Sequence, residues 1–267
     1  MVRHEAAMTE PHQIAERSYQ TVNRLVWTQL AQQGDDSAEA GQNQFAQARQ
    51  WLDPQGWMHW PEIRRVLCLA SGGGRQAPMF ACLGCHVVSA DLCPEQLRLD
   101  SESAHRHGFE IECIEADMLD LSMLYGRDFD LVYQAISACY VPDVRRLYAE
   151  VFRVLRPGGY YRAEHWNPVN MQLADDFRWT GRGYEMVRTP GSAHAWHGAA
   201  QNGGEPMEAW HYIHSLTDQI GGLCDAGFRI LHFSEHGERD ESAEPGSKAH
   251  AYIYAPPFLS LYAQCHP

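Results

Sequence analysis

Lysine is almost missing from this chain: in 267 residues only Lys248 is a lysine, in a late Gly-Ser-Lys-Ala stretch. That scarcity excludes several chemistries together. There is no Gly-Lys-Ser/Thr phosphate loop, no early lysine for a Schiff base, and no Tyr-x-x-x-Lys pair for hydride transfer. Positive charge is also poor in clusters, with nothing longer than Arg64-Arg65 or Arg145-Arg146, against a net charge of −13. An acidic balance of this kind argues against phosphate backbones and anionic membranes as partners. No apolar run approaches membrane-spanning length. The segment Met1 to Gln13 is polar, with His4, Glu5 and Glu10, and does not read as a signal peptide. Eight cysteines lie mostly within apolar runs, and Cys82-x-x-Cys85 has no second pair to complete a zinc site. The expectation is a cytoplasmic protein whose thiols are reduced and act as small hydrophobes.

What is present is concentrated in one stretch. The apolar run Val66-Leu67-Cys68-Leu69-Ala70 stops at Ser71-Gly72-Gly73-Gly74, a helix-like segment follows, and Val87-Val88-Ser89-Ala90 ends on Asp91. This is a strand, glycine loop, helix and strand, with an acid nineteen residues beyond Gly72, where a nucleoside ribose sits in nucleotide-binding α/β units. A Cβ in such a loop would block a ligand, and the loop can demand φ > 0. A carboxylate accepts hydrogen bonds from both ribose hydroxyls. Gly72-x-Gly74-x-x-Ala77 with Asp91 also satisfies the dinucleotide fingerprint, so a nicotinamide-dependent oxidoreductase stays open at this point.

Around this unit the chain alternates. Residues 13–33 and 38–52 have helical spacing and form a helical N-terminal cap over 1–60. Strands are expected at Val66–Ala70, His86–Asp91, Glu110–Glu115, Phe129–Gln134 and Tyr160–Glu164, with helices at Gln76–Leu83, Pro94–His107 and Val144–Leu155. Strands separated by such helices mean a parallel sheet with right-handed crossovers. That core occupies 61–167. Residues 168–208, rich in glycine, histidine and aromatics, form an insertion serving as lid or substrate wall. The sheet resumes over 209–256 with a helix at Leu216–Ala226 and strands at Phe228–Ser234 and Ala249–Tyr254, a terminal antiparallel hairpin at the sheet edge. Residues 257–267 read as a tail.

Taken in order, these residues resemble the class I S-adenosylmethionine-dependent methyltransferases, in their small-molecule branch, over about residues 60–256. The carriers are Ala70-Ser71-Gly72-Gly73-Gly74, Asp91-Leu92-Cys93-Pro94-Glu95-Gln96-Leu97, Glu115-Ala116-Asp117-Met118, and the pair Phe129–Gln134 with Val154-Leu155-Arg156-Pro157-Gly158-Gly159. The resemblance implies a Rossmann-like α/β fold with a central, mostly parallel seven-stranded sheet and an antiparallel terminal strand. It implies S-adenosylmethionine as cofactor, held by Ser71, Gly72, Gly73, Gly74, Gln76, Asp91, Leu92, Asp117, Met118 and Gln134. Within it Asp91 takes the ribose and Asp117 the adenine amine. Cys68 stands where the family often has an acid that helps bind the methionine amino group. Gln134, the backbone near Ala135 or an N-terminal residue is then left to supply that role.

Methyl transfer is an in-line displacement at an activated sulfonium, so a protein must chiefly align donor and acceptor and exclude water. A base is needed only for an acceptor that carries a proton on its reactive atom. His165 is the candidate base, and Tyr19, Trp27, Glu164, Asn167 and His197 are candidate acceptor contacts. His194-x-x-His197, His211-x-x-His214 and Glu235-His236 have spacings that fifteen histidines produce by chance, and no metal is expected. The reading is a monomer or homodimer acting on a small-molecule acceptor, an aromatic, heterocyclic or cationic amine compound, without nucleic-acid or membrane partners. A methyltransferase-like module without catalysis is the remaining alternative.

Overall fold

The computed structural model describes residues 18–32, 41–198 and 207–266. α1 (Tyr19–Gln32) comes first, and the second expected helix is two short pieces, α2 (Gln42–Ala46) and α3 (Ala48–Leu52), broken at Gln47. The expected residues 13–17, 33 and 38–40 lie outside the described residues.

The central unit follows as β1 (Arg65–Leu69), α4 (Gln76–Cys82), β2 (His86–Asp91), α5 (Pro94–Arg106), β3 (Glu112–Glu115), β4 (Phe129–Gln134), α6 (Val144–Val154) and β5 (Leu155–Trp166). α6 shows why such segments are helical. Asp143 caps it by accepting from Arg146 N at 3.0 Å, and Val144, Leu147, Tyr148, Val151 and Val154 form its buried stripe. Alternation then sorts the strand residues between two cores. Leu67, Leu69, Val132, Tyr161 and Ala163 pack with α6 on one face. Val66, Cys68, Leu131 and Tyr160 pack with Leu52, Ala77 and Phe80 on the other.

The seven-stranded sheet has the order β3-β2-β1-β4-β5-β9-β8, where β8 is Phe228–His236 and β9 is Phe258–Cys265. Neighbours from β3 to β5 pair in parallel, and β9 runs antiparallel to both β5 and β8. A fully parallel doubly wound sheet of the dinucleotide-binding kind lacks this reversed strand.

Two expectations change here. Residues 248–254 are not a strand but a helix, α9 (Lys248–Tyr254), capped by Ser247 Oγ accepting from His250 N at 3.3 Å. Its small and large residues alternate and so imitate period two, but Ala251 is buried with Leu173 and Ala255 as one helical turn requires. The last strand lies where the tail was expected, and with β8 it forms the antiparallel pair at the sheet edge, β9 beside β5 and β8 outermost. Leu259 to Ala263 are buried without interruption because both faces are covered. The helix expected at 216–226 is present, beginning as a π-helical turn, Thr217–Gly221, and continuing as α8 (Gly222–Asp225).

The insertion is also more ordered than expected. It contains α7 (Pro168–Met171) and a separate two-stranded sheet of β6 (Ala193–Gly198) and β7 (Met207–Tyr212). Ala209 and Ile213 pack with Val26 of α1, Tyr140 and Met171, so this hairpin braces α1 from behind.

β1 is followed by Ala70, which has φ +46 and donates its N–H to Ala90 O at 2.7 Å. A side chain in the left-handed region costs about 1–2 kcal/mol, offset in part by the lower chain entropy of alanine relative to glycine. Ala70→Gly is therefore expected to stabilise the protein by about 0.5–1 kcal/mol, read as a rise in Tm of about 2 °C. A lower Tm would show that this backbone is not strained.

Candidate active site

In open parallel sheets ligands bind at the strands' C-terminal ends where the strand order reverses, which here is between β1 and β4. A cavity enclosing about 820 Å³ of empty space, part of it open to solvent, lies at that point. Its floor is Leu69, Ala70, Ser71, Gly72 and Gln76, one side is Ala90, Asp91, Leu92 and Gln96, and another is Ala116, Asp117 and Met118. Ala135, Ile136, Ser137, Tyr140 and Val141 close the β4 side, and Tyr19, Asn23 and Trp27 of α1 lie across the top.

α1 is held there by polar ties spread along its length. Tyr19 OH and Gln20 Nε2 (2.8 Å) both donate to Asp117 Oδ2, and Arg24 pairs with Glu115. Asn23 Nδ2 donates to Tyr140 O at 2.7 Å, Gln96 Nε2 to Trp27 O at 3.1 Å, and Thr28 Oγ1 to Glu95 Oε2 at 2.9 Å. Trp27 meets the Tyr140 ring edge-on, centroids 5.2 Å apart.

The glycines are needed for a reason other than ligand clearance alone. A Cβ on Gly72 would sit 2.4 Å from Gln96 Cβ, and one on Gly74, at φ +88, would sit 3.1 Å from Ser103 Cβ. At Gly72 the loop lies against α5 too closely for a side chain, and at Gly74 a crowded contact adds to the strain of a positive φ. Gly72 remains on the cavity surface, while Gly73 and Gly74 turn beneath it and do not line it.

Asp91 accepts from Cys93 N at 2.8 Å and Gly72 N at 3.3 Å. Removal from water dominates over these bonds and raises its carboxyl to about 6. Burial first, then the bond to Asp117, pushes the Tyr19 phenol well above its ordinary range. Burial does the same to Tyr140.

Of the anticipated residues, Ser71, Gly72, Gln76, Asp91, Leu92, Asp117, Met118, Tyr19 and Trp27 surround this one cavity. Several others lie elsewhere. Gln134 is buried below the cavity, accepting from Tyr161 OH and donating to Ser137 Oγ at 2.9 Å, so it supports the loop after β4. His165 is 2% exposed, faces Tyr148 OH at 3.4 Å, and is pushed down to about 3 by burial and then by nearby His214. It does not reach the cavity, which corrects its assignment as a base. Glu164, on the opposite face of β5, accepts from Ser260 Oγ at 3.1 Å and lies by His236 and Arg162. Asn167 caps α7 and donates to Glu235 Oε1 at 2.8 Å, a structural role. His197 lies on β6, and its side chain is outside the described residues. No described residue of the insertion lines the cavity. Asn23, Gln96, Ser137 and Tyr140 were not singled out. The signal for Asn23 was a polar residue among the apolar positions of α1, next to Val22 and Val26.

The residues present fit a nucleoside cofactor bearing an amino-acid tail. Asp91 is a carboxylate in the cavity wall with few donors of its own. Ser71 Oγ and Asn23 Oδ1, both on lining residues, are buried without a hydrogen-bond partner. Cys68 offers nothing to an ammonium group, since it is fully buried in the opposite core.

Comparison with known proteins agrees with this geometry. Residues 67–163 match the family model described as a methyltransferase domain. The chain is 32% identical over 190 residues to the uncharacterized methyltransferase YbaJ of Bacillus subtilis, covering 68% of this chain and 72% of that one. It is 22% identical over 183 residues to the sterol 24-C-methyltransferase ERG6A of Gibberella zeae, of which it covers 42%. In structure it is similar to an S-adenosylmethionine-dependent methyltransferase from Mesorhizobium loti, with a TM-score of 0.60, 23% identity, and 82% and 99% of the two chains covered. The chain belongs to the S-adenosylmethionine-dependent methyltransferase family.

Asp91 carries a pH signature in the free protein. An unfolded aspartate titrates near about 3.9, and the folded carboxyl at about 6, so the folded chain binds the proton more tightly. The associated stability is fully present below the unfolded value and is lost as pH rises through about 6. Asp91→Asn removes this titration, and thermal melts are expected to show the variant gaining about 1–3 kcal/mol on the native protein between pH 4 and 7. Parallel curves would place Asp91 in ordinary solvent.

Proposed function

We propose that this enzyme methylates a small molecule held between α1 and the loop after β4. The observation that carries the reading is the enclosure. Tyr19, Asn23 and Trp27 cross the cavity from above, tied down at Asp117, Tyr140 and Gln96. A cavity roofed in this way suits a metabolite better than a protein segment or nucleic acid. The net charge of −13 supports the exclusion of polyanions. Among the described residues no helix is long and apolar enough to cross a membrane, and we read the protein as cytoplasmic, a monomer or homodimer.

When bound, S-adenosylmethionine supplies an electrophilic methyl group on a sulfonium. Asp91 would accept the ribose hydroxyls, and Leu92, Ala116 and Met118 would pack on the base beside Asp117. Gly72 and Ala70 would present backbone to the amino-acid tail, with Ser71 and Asn23 offering unpaired polar atoms. The Asp117 carboxylate is already shared by Tyr19, Gln20 and the Leu119 N–H at 2.9 Å, so α1 and the base would meet at one acceptor.

No histidine among the described residues lines the cavity, and burial pushes the Tyr19 and Tyr140 phenols further above neutral pH. The two carboxylates of the wall have other partners, Asp117 in α1 and Asp91 in the ribose it would accept. Such a wall suits an acceptor bringing its own lone pair, an amine or nitrogen heterocycle. The Trp27 and Tyr140 rings would pack against it.

Calorimetric titration tests the cofactor half. S-adenosylmethionine and S-adenosylhomocysteine are expected to bind and NADH is not, with Asp91→Ala weakening binding by about 10–100-fold, the scale of hydrogen bonds to a charged group. The acceptor half is tested by following S-adenosylhomocysteine release over a panel of amines, nitrogen heterocycles and phenols. Turnover of phenols alone would overturn the amine reading. Trp27→Ala is expected to cut acceptor turnover at least about 10-fold.

A further inference from the structure

α5 carries a buried acid, Asp100, which is fully inaccessible to solvent beneath the glycine loop. Its Oδ1 accepts the Gly74 N–H at 2.6 Å, and its Oδ2 accepts the Ser89 hydroxyl at 2.5 Å. One turn later Ser103 Oγ donates to Gly74 O at 2.9 Å. Both backbone groups of Gly74 are thus held by side chains of one helix, and Asp100 also ties that helix to β2. We propose that Asp100 is a positioning residue, setting the glycine loop in the conformation that receives the cofactor. This rests on the proposed placement of the cofactor over Ser71 and Gly72.

The chemistry of the position supports a role beyond packing. An alanine would fill this buried stripe, between Leu97 and Ala104, without any desolvation cost. Both hydrogen-bond donors to Asp100 are neutral. The titratable groups facing it are Asp91 on β2, Cys68 on β1 and Cys113 on β3, none of them cationic. Burial, with Asp91 nearby, lifts its carboxyl to about 7. The loop needs an external grip because its own backbone offers little: Gly73 and Gly74 have φ of +109 and +88, and the Gly73 N–H reaches Gln96 O only at 3.4 Å. A free Gly-Gly pair populates many conformations, and each would have to be frozen out on binding.

The test compares Asp100→Ala with Asp100→Asn, which keeps an acceptor for Gly74 and offers a donor to Ser89. Two readouts are used on the full chain. The first is S-adenosylhomocysteine affinity by calorimetry. The second is amide hydrogen exchange of the 70–76 segment without ligand. Asp100→Ala is expected to weaken binding at least about 10-fold and speed exchange at Gly74 by a similar factor. Asp100→Asn is expected to restore both to within about 3-fold. If Asp100→Ala does not fold, Ser103→Ala, which frees only the Gly74 carbonyl, is expected to weaken binding about 3-fold and raise exchange locally.

Unchanged affinity in Asp100→Ala or Ser103→Ala, or loss of affinity in Asp100→Asn equal to that in Asp100→Ala, would overturn the proposal. Failure of the cofactor placement is distinguished by Asp91→Ala. If that variant binds S-adenosylhomocysteine as the native protein does, the site lies elsewhere. If it loses binding while the Asp100 variants do not, only the positioning role fails.

Discussion

The rest of the site depends on how closely residues 70–74 lie against the first turns of α5. The separation leaves no room for a Cβ at Gly72, which would overlap Gln96, and at Gly74 a Cβ would press on Ser103 at a backbone φ of +88 that disfavours a side chain. This contact fixes the relative height of β1, β2 and α5. It brings Asp91 to the wall of the cavity, and it places Gln96 where it also reaches the Trp27 carbonyl of α1. Loop, acid and cap are therefore joined through one helix end. Glycine here serves the protein's own packing first, and the open surface of Gly72 follows from it.

α1 is joined to the cofactor side of the core by polar ties rather than by a broad apolar face. Leu25 is 48% exposed on α1, while Val26 is buried against Ala209 of β7 and Ile213. The insertion thus acts on the cavity at second hand: it supports α1 and Tyr140, which do line it. The same segment is fixed at its other end by the rings of Trp179 and Tyr184 against His250 and Tyr254 of α9. Tyr184 OH lies 2.5 Å from His250 Nδ1.

What was legible in the sequence was whatever depends on local order. The strands β1, β2 and β4, the helices α5 and α6, the glycine loop and Asp91 follow from apolar runs and turn residues that interact over short distances. The cofactor side of the cavity is made of these strand ends, so the glycine loop and Asp91 could be named from spacing and the other contacts from the resemblance those motifs carry. The acceptor side is made of contacts between distant segments. Strand alternation sends His165 and Glu164 to opposite faces of β5, and neither faces the cavity. Asn167 is taken up by capping α7. Gln134 is drawn down by Tyr161. The 248–265 segment was misread because seven residues of alternating size look alike in a helix and a strand, and because Pro256-Pro257 looks like an ending. Asp100 was not found because an acid on a helix is ordinarily a solvated one.

β9 sits between β5 and β8, and its Leu261 carbonyl meets Arg162 from 99 residues away. The five parallel strands from β3 to β5 all lie before residue 167, so every pairing among them is available once β5 has been made. Until residues 258–265 arrive, β5 presents an open, hydrogen-bond-hungry border and β8 has nothing to pair with. The cofactor half can assemble during synthesis, while closure of the sheet waits on a long loop. The chain therefore has an interval in which its most buried border, Tyr160 to Trp166, is its most adhesive one, and it is in that interval that chaperones and misassembly compete.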